Sequence, residues 1–160
     1  MPHSQYKKGH PLMSRYTSFP LDISPAKAKS IFHLPIEQEI FVPSTTNASK
    51  LIKQKAYDKR INTVRGFLSK EFGGFTSVSG TGGYYSSDKN SVIKEPVTVV
   101  TSFAQIEGFP QKQKHLLSQL SKWRKQWGQE SMGYEFEGDL YYMGKQERKR
   151  KLMKRMREKR

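Results

Sequence analysis

Two helical stripes of apolar residues, each flanked by strand-like segments, place the strongest constraint on the fold of this 160-residue chain. Within each stripe the apolar residues recur three or four positions apart, with one adjacent leucine pair in the second, so their side chains lie on one side of a helix. Each helix therefore needs an apolar surface to pack against. The stripes are Tyr57, Ile61, Val64, Leu68 and Phe72, and then Leu116, Leu117, Leu120, Trp123 and Trp127.

Segments rich in β-branched and aromatic residues surround the two stripes. Their order along the chain is strand, helix, strand, strand, helix, strand, followed by one extra short strand. Right-handed crossovers from two such halves produce an antiparallel four-stranded sheet with both helices on one face. The chain therefore predicts an α+β fold, a ferredoxin-like β-α-β-β-α-β sandwich. The predicted strands are Glu39 to Thr46, Phe75 to Tyr85, Val92 to Phe103, Met132 to Phe136 and Leu140 to Met143.

Proline, glycine and capping residues predict where these elements begin, bend and end. Pro43 cannot donate to a ladder, which predicts that the first strand lies at an edge or contains a bulge. Asn47 or Ser49 could cap the first helix, and Gly73 and the glycine after it should end that helix with a positive φ. The glycines at 80, 82 and 83 predict a bulged or strongly bent strand. Pro110 suits the first turn of the second helix.

Charge divides the chain into three parts. Residues 1–35 contain five Lys or Arg and one Asp, and five prolines that predict an extended arm. Residues 36–143 contain fourteen basic and eleven acidic residues, as a globular ferredoxin-like domain would. Residues 144–160 contain ten Lys or Arg and two Glu, a net charge of +8 out of +15 for the chain. This basic tail could form a helix with Leu152, Met153 and Met156 on one side.

The basic tail predicts contact with a polyanion, because unpaired ammonium groups cannot enter a core. Each phosphate contact would release a condensed counterion and make nucleic-acid binding depend steeply on salt. The arm adds a weaker basic patch. The predicted nucleic-acid-binding residues are Lys145, Arg148, Lys149, Arg150, Lys151, Lys154, Arg155, Arg157, Lys159 and Arg160 in the tail, and Lys7, Lys8 and Arg15 in the arm.

Aromatic residues on the predicted strands could add base stacking, or could lie beneath the helices. Alternation along a strand decides between these two positions, and for any single ring the core is the better expectation. The rings concerned are Phe75, Tyr84, Tyr85, Phe103, Tyr134, Phe136, Tyr141 and Tyr142.

One acidic cluster offers an enzymatic alternative. Glu130, Glu135, Glu137 and Asp139 lie close together in the sequence, and Glu135 and Glu137 would share a strand face. Two or three such carboxylates could hold Mg²⁺ for phosphoryl chemistry. No second acidic centre and no paired histidines accompany them, so we expect no catalytic residue, no metal site and no cofactor.

Cysteine count and hydropathy exclude several classes. The chain has no cysteine, which excludes disulfides, thiolate nucleophiles and cysteine-ligated metal sites. No run approaches the roughly 20 apolar residues that cross a membrane, and the first residues lack the apolar stretch of a signal peptide. We therefore expect no membrane partner and a soluble protein, either intracellular (cytoplasmic) or within a virion or other particle.

The stretch from Val64 to Met143 resembles small uncharacterised proteins of phages and other mobile elements. The resemblance rests on VRGFLSKEFGGFTSVSGTGGYY, VTSFA and WRKQWGQESMGYEFEGDLYY, about half of the chain. It implies a viral or mobile-element setting, and it implies no activity and no functional residues.

These observations together predict a non-enzymatic nucleic-acid-binding subunit of a larger assembly, a ribonucleoprotein or a virion. The tail would bind phosphates of RNA or DNA, and the arm would lie along neighbouring protein subunits. Two alternatives stay open at this point. The chain could be a structural or assembly protein whose tail docks on an acidic protein partner, or a small metal-dependent nuclease that uses Glu135, Glu137 and Asp139.

Overall fold

A computed structural model describes residues 33–47 and 50–144, which form seven strands and two helices. The basic tail after Gly144 and the arm before His33 lie outside these described residues. In chain order the elements are β1 (Ile36–Pro43), β2 (Thr45–Thr46), β3 (Lys50–Leu51), α1 (Gln54–Phe72), β4 (Thr76–Ser86), β5 (Ser91–Ala104), α2 (Phe109–Gln126), β6 (Ser131–Phe136) and β7 (Asp139–Gly144).

Five of the strands form one antiparallel sheet in the order β4-β5-β1-β6-β7. Its first four members have the order of the ferredoxin-like sandwich, in which each βαβ half leaves a gap that a strand of the other half fills. β7 extends the sheet as the second arm of a hairpin with β6. The remaining two short strands pair with each other. The predicted fold class is confirmed.

Both helices pack on one face of this sheet, which we call the covered face; the opposite face is the open face. Burial along β1 alternates accordingly, with Ile36, Gln38, Ile40 and Val42 buried and the residues between them partly or fully exposed. The buried apolar residues of both helices and of the covered face form one core cluster. They are Ile36, Ile40, Val42, Tyr57, Ile61, Val64, Leu68, Phe72, Val100, Ala104, Phe109, Leu116, Leu120, Trp123, Trp127, Met132 and Tyr134.

The first helix ends as predicted but begins differently. Gly73 has φ 96° and donates its N–H to the Ser69 carbonyl, so the left-handed residue that ends α1 is a glycine. At the other end Lys53 is the N-cap, with no side-chain hydrogen bond to the helix. The prediction of Asn47 or Ser49 as the cap is therefore wrong, because β3 intervenes between them and the helix.

The second helix begins after Gly108 with Pro110 in its first turn, as predicted. It ends at Trp127 and Gly128, and Gly128 has φ 63°. A Cβ at this position would lie 2.6 Å from the Thr46 hydroxyl, so close packing as well as backbone conformation requires glycine.

Buried Arg60 holds the same corner together. Its guanidinium donates to the carbonyls of Pro43 and Thr45 at 2.8 Å and to that of Trp127 at 3.3 Å, and it lies over the Trp127 ring. Burial lowers the pKa of Arg60 below its ordinary value. A planar group with several donors suits a position where three carbonyls converge.

Two predictions about the strands are wrong. β1 lies in the centre of the sheet rather than at an edge, although it contains Pro43. Pro43 is tolerated because it is the last residue of β1, beyond the part that pairs with β6. β4 pairs with β5 in one unbroken register from Thr76 to Ser86, so the predicted bulge at its glycines is absent, whereas the strong bend given as the alternative stays a prediction.

Within the described residues, no helix is long and apolar enough to span a membrane.

Candidate binding site on the open face

The open face is acidic. Alternate residues of all five strands lie on this face, as the pairing of the strands shows. Four of these residues are glutamates: Glu37 and Glu39 on β1, Glu95 on β5 and Glu135 on β6. Among the strand residues that the structure describes on this face, none is Lys or Arg. The open face therefore favours cations over phosphates.

Glu39 and Glu135 form the centre of the acidic face. They are directly paired across β1 and β6, so their side chains stand side by side. Thr101, on the other neighbour of β1, donates its hydroxyl to Glu39 Oε1 at 2.8 Å and orients that carboxyl group. This arrangement draws one carboxyl group from each half of the fold.

The carboxyl group of Glu135 holds a proton more tightly than an isolated one does. Burial raises the pKa of Glu135, and so do the charge of Glu39, a hydrogen bond with Glu39 and the charge of Glu37. Two ionised carboxylates so close together repel each other, which a shared proton or a bound cation relieves. The pair can therefore accept a cationic group of a ligand in place of its proton.

A groove of about 810 Å³ crosses the open face beside this pair. Its floor includes Phe41 and Pro43, and its sides belong to the β4–β5 and β6–β7 hairpins. Register relates the groove to the carboxyl pair: Phe41 lies two residues beyond Glu39 on the same face, and Leu140 of the groove pairs with Glu135. Remaining lining residues include Val78, Val97, Val99, Glu95, Glu130, Tyr84 and Tyr142.

Aromatic rings and glycines shape the groove. Tyr84 and Tyr142 are 53% and 70% exposed, so both present ring surface to a ligand. The Phe41 ring lies over Gly133, where a Cβ would come within 3.2 Å of the ring. At Gly80 a Cβ would meet no atom within 4 Å, which leaves open space along β4. The groove is thus wide and apolar, with carboxylates at its rim.

A second cavity of about 560 Å³ lies at the opposite end of β5. Its charged lining residues are Lys70, Lys112, Glu71 and Glu107, two of each sign. Because the positive and negative charges of this lining are equal in number, they favour neither cationic nor anionic ligands. The open-face groove is therefore the better candidate for a binding site.

The pattern of the sequence indicated only part of this site. It singled out Glu135 but missed Glu37, Glu39 and Glu95, because these residues are far from it in the chain. The sequence did contain the information needed to find Glu39. The predicted topology places the first strand beside the strand of Glu135, and side-chain alternation along the first strand directs Glu39 away from the helices.

The acidic cluster considered as an alternative metal site does not assemble. Asp139 pairs with Phe136, so it belongs to the covered face of the sheet, whereas Glu135 belongs to the open face. Glu137 has φ 54° in the turn after β6, and its carboxylate accepts the backbone N–H of Glu37 at 2.8 Å. Within the described part of the chain, no group of three or more His, Asp or Glu side chains could hold a metal ion.

The predicted stacking rings divide between the two faces. Tyr84, Tyr142 and Phe103 lie on the open-face register, whereas Tyr134 and Phe136 lie on the covered face. All the basic residues predicted to bind nucleic acid, in the tail and the arm, lie outside the described residues. Their role stays a prediction, and the acidic face beside the exposed rings would repel a phosphate backbone.

Comparison with known proteins relates the fold to an enzyme. A solved phage SAM lyase in its apo state superimposes with a TM-score of 0.50 at 16% identity, over 69% of this chain and 90% of that one. The phage SAM lyase in complex with S-methyl-5'-thioadenosine gives 0.49 at 16% identity, over 69% and 89%. No protein-family profile and no curated protein matches the sequence.

These matches correct the functional interpretation of the sequence. The predictions of a non-enzymatic nucleic-acid-binding subunit, of a ribonucleoprotein or virion component and of a structural protein conflict with a fold match to an enzyme over nine-tenths of its length. At 16% identity the match establishes the fold alone. The phage source of the neighbour agrees with the resemblance to phage proteins seen in the sequence. The chain shares the fold of phage SAM lyase.

Proposed function

We propose that this protein is an enzyme that binds S-adenosylmethionine (SAM) on the open face and cleaves it, as the name of its structural neighbour describes. One observation carries the proposal: on the fold of a SAM lyase, a groove lined by Glu95 and Glu130 lies next to the Glu39–Glu135 pair, with no Lys or Arg on the described strand positions of that face. The ligand that fits such a face is an organic cation with a flat aromatic part.

SAM has the required chemical groups. It carries a sulfonium and an ammonium charge, a flat adenine ring and two ribose hydroxyls. The Glu39–Glu135 pair offers carboxylates to a cation, and Tyr84 and Tyr142 offer ring faces for stacking or for cation–π contact. Glu95 at the rim can accept hydrogen bonds from hydroxyl groups.

Cleavage by a lyase breaks the bond between sulfur and the aminocarboxypropyl chain. Sulfur keeps the bonding pair and becomes the neutral thioether of S-methyl-5'-thioadenosine. The carbon that loses sulfur gains its new bond within the substrate, either to the substrate's own carboxylate oxygen or as a double bond when an adjacent proton leaves to a base. Neither route needs an oxidant, a metal or a cysteine.

An apolar floor under the sulfonium would favour this step, because the positive charge on sulfur disappears as the bond breaks. Val99 and Phe41 form such a floor on the open face. The carboxyl pair is better used to anchor the ammonium group, since that charge is unchanged by the reaction. Binding and bond cleavage would then use different parts of the face.

The test is incubation of the purified full chain with SAM, with S-methyl-5'-thioadenosine measured by chromatography and mass spectrometry. We expect Glu39→Gln and Glu135→Gln each to lower kcat/KM by about 10- to 100-fold, the effect of losing a charge-assisted contact. Asp88→Asn in the exposed β4–β5 turn is the matched control and should keep wild-type activity.

Calorimetry provides a second measurement that does not depend on turnover. S-adenosylhomocysteine has the same shape but lacks the methyl group and the sulfonium charge, so we expect it to bind more weakly than SAM. Absence of both product and SAM binding at millimolar concentration would exclude the proposed function.

A further inference from the structure

The last described strand ends at the rim of the open-face groove. β7 finishes at Gly144, which pairs with Ser131. A Cβ built on Gly144 would lie 3.6 Å from the carbonyl oxygen of Glu130 and 3.8 Å from Cβ of Ser131, and both residues line the groove. The segment attached to Gly144 therefore starts beside the acidic face.

Residues 145–160, which continue from this point, are the most basic segment of the chain. They contain ten Lys or Arg and two Glu, together with Leu152, Met153 and Met156. The open face has the complementary composition, with four glutamates on its strands, a groove lined by Glu95 and Glu130, and no Lys or Arg at its described strand positions. Charge and hydropathy therefore match between the segment and the surface next to which it begins.

The segment is also long enough. Sixteen residues span about 24 Å as a helix and about 50 Å when extended. The outer strands of a five-stranded sheet lie about 20 Å apart. Residues 145–160 can thus cross the whole open face in either conformation. Tethering gives the segment an effective concentration in the millimolar range, so weak contacts are sufficient for docking.

We propose that residues 145–160 dock on the open face of their own chain, with Lys and Arg against Glu39, Glu95 and Glu135 and with apolar side chains in the groove. The docked segment occupies the surface assigned above to SAM and acts as a tethered competitive inhibitor. The docking itself is independent of the proposed function, whereas the inhibition rests on it.

Disulfide trapping in the full-length protein tests the docking, because the wild-type chain has no cysteine. One variant combines Gly80→Cys in the groove with Met153→Cys in the tail. Its matched control combines Met153→Cys with Gly66→Cys on the exposed side of α1, where an added Cβ also meets no atom within 4 Å. We expect intramolecular disulfide to form at least about 10-fold faster in the groove variant.

Salt and charge variants identify the force that holds the segment. About 0.5 M NaCl shortens the Debye length to a few ångströms and should slow trapping several-fold. Adding Glu39→Gln and Glu135→Gln to the groove variant should slow it as well. Equal trapping rates in the groove and control variants, or disulfide-linked dimers in place of the intramolecular product, would overturn the proposal.

Kinetics test the inhibition separately. Changing Lys149, Arg150, Lys151, Lys154 and Arg155 to Gln should lower KM for SAM several-fold and leave kcat unchanged, as expected when a tethered competitor is weakened. An unchanged KM would overturn the inhibitory role. Trapping in the groove variant together with no cleavage of SAM by the tail variant with five Gln substitutions would support the docking and overturn the proposed function; cleavage without trapping would do the reverse.

Discussion

The covered and open faces of the sheet are built from the same five strands but have opposite compositions. On β1, Ile36, Ile40 and Val42 alternate with Glu37 and Glu39. The first set lies under the helices and is fully buried, whereas the second faces away from them with Phe41 and Pro43. Stability and binding are thus assigned to alternate residues of one strand, and a change at one position can affect one property without the other.

Polar groups on the two faces also differ in their partners. On the covered face, Tyr134 accepts a hydrogen bond from Gln113 of α2 and donates one to Gln38 of β1. Burial raises the pKa of Tyr134 to about 12. On the open face, Glu39 and Glu135 are partnered mainly by each other and by Thr101. Internal partners satisfy the Tyr134 hydroxyl and Gln38 Oε1, although the buried Gln38 Nε2 has no hydrogen-bond partner among the described residues. The open-face pair still has capacity for a ligand.

The largest expected effect is the difference in the free energy of unfolding between truncating a buried side chain on the covered face and an exposed one on the open face. Ile40→Ala removes a fully buried covered-face side chain and should lower the free energy of unfolding by about 2–5 kcal/mol. Val78→Ala on the open face removes a side chain that is 66% exposed and should cost about 1 kcal/mol or less. Urea unfolding of both variants measures the difference. Similar costs would contradict the assignment of faces.

A second comparison uses two glycines of the open face. Gly133→Ala places a Cβ within 3.2 Å of the Phe41 ring and should destabilise the protein by about 1–3 kcal/mol. Gly80→Ala meets no atom within 4 Å, and glycine is unfavourable inside a strand, so this change should be neutral or slightly stabilising. Thermal unfolding checks both. Destabilisation by Gly80→Ala would show that the open space along β4 is filled.

Two tyrosines of neighbouring strands give a third comparison. Tyr134→Phe leaves Gln38 without its hydrogen-bond donor in the core and should cost about 1–3 kcal/mol. Tyr142→Phe changes a hydroxyl on a side chain that is 70% exposed and should stay within about 0.5 kcal/mol of wild type. Chemical unfolding measures both values. A large loss at Tyr142 would place that hydroxyl in a contact within the folded chain.

The smallest expected effect is the pH dependence of the carboxyl pair. The folded protein raises the pKa of Glu135 above 4.5, so it binds this proton more tightly than the unfolded chain does. The resulting stabilisation is fully present below the unfolded pKa and is lost as the pH rises through the raised pKa. Glu135→Gln should remove this part of the slope in urea unfolding as the pH rises above 4.5, and Asp88→Asn should retain it.

Local sequence predicted the helices and most strand positions well. The apolar stripe from Tyr57 to Phe72 and the positive φ of Gly73 depend only on neighbours within a few residues. The prediction that Pro43 puts β1 at an edge was wrong because a strand's position in a sheet depends on where the other strands end. β6 stops pairing with β1 before it reaches Pro43. The N-terminal cap was misplaced for a similar reason, since β2 and β3 are held by pairing with each other.

The functional interpretation was wrong because it relied on the charge of residues 144–160 and took no account of the open face, whose composition is not apparent from the sequence. Net charge over residues 36–143 is close to balanced, which concealed that the described open face has only acidic charged residues on its strands. Glu39 and Glu135 lie far apart in the chain, and only the β1–β6 pairing brings them together. No count of residue types contains that information.

Sequence alone determined the two amphipathic helices, the order of the elements and hence the ferredoxin-like class, because these depend on short-range periodicity and on the handedness of crossovers. Tertiary structure decided which side of each strand the helices cover. That choice buries Ile40 and exposes Glu39, and strand pairing then sets Glu39 against Glu135 beside an apolar groove. Long-range register, which no local pattern specifies, turned dispersed glutamates into one acidic face.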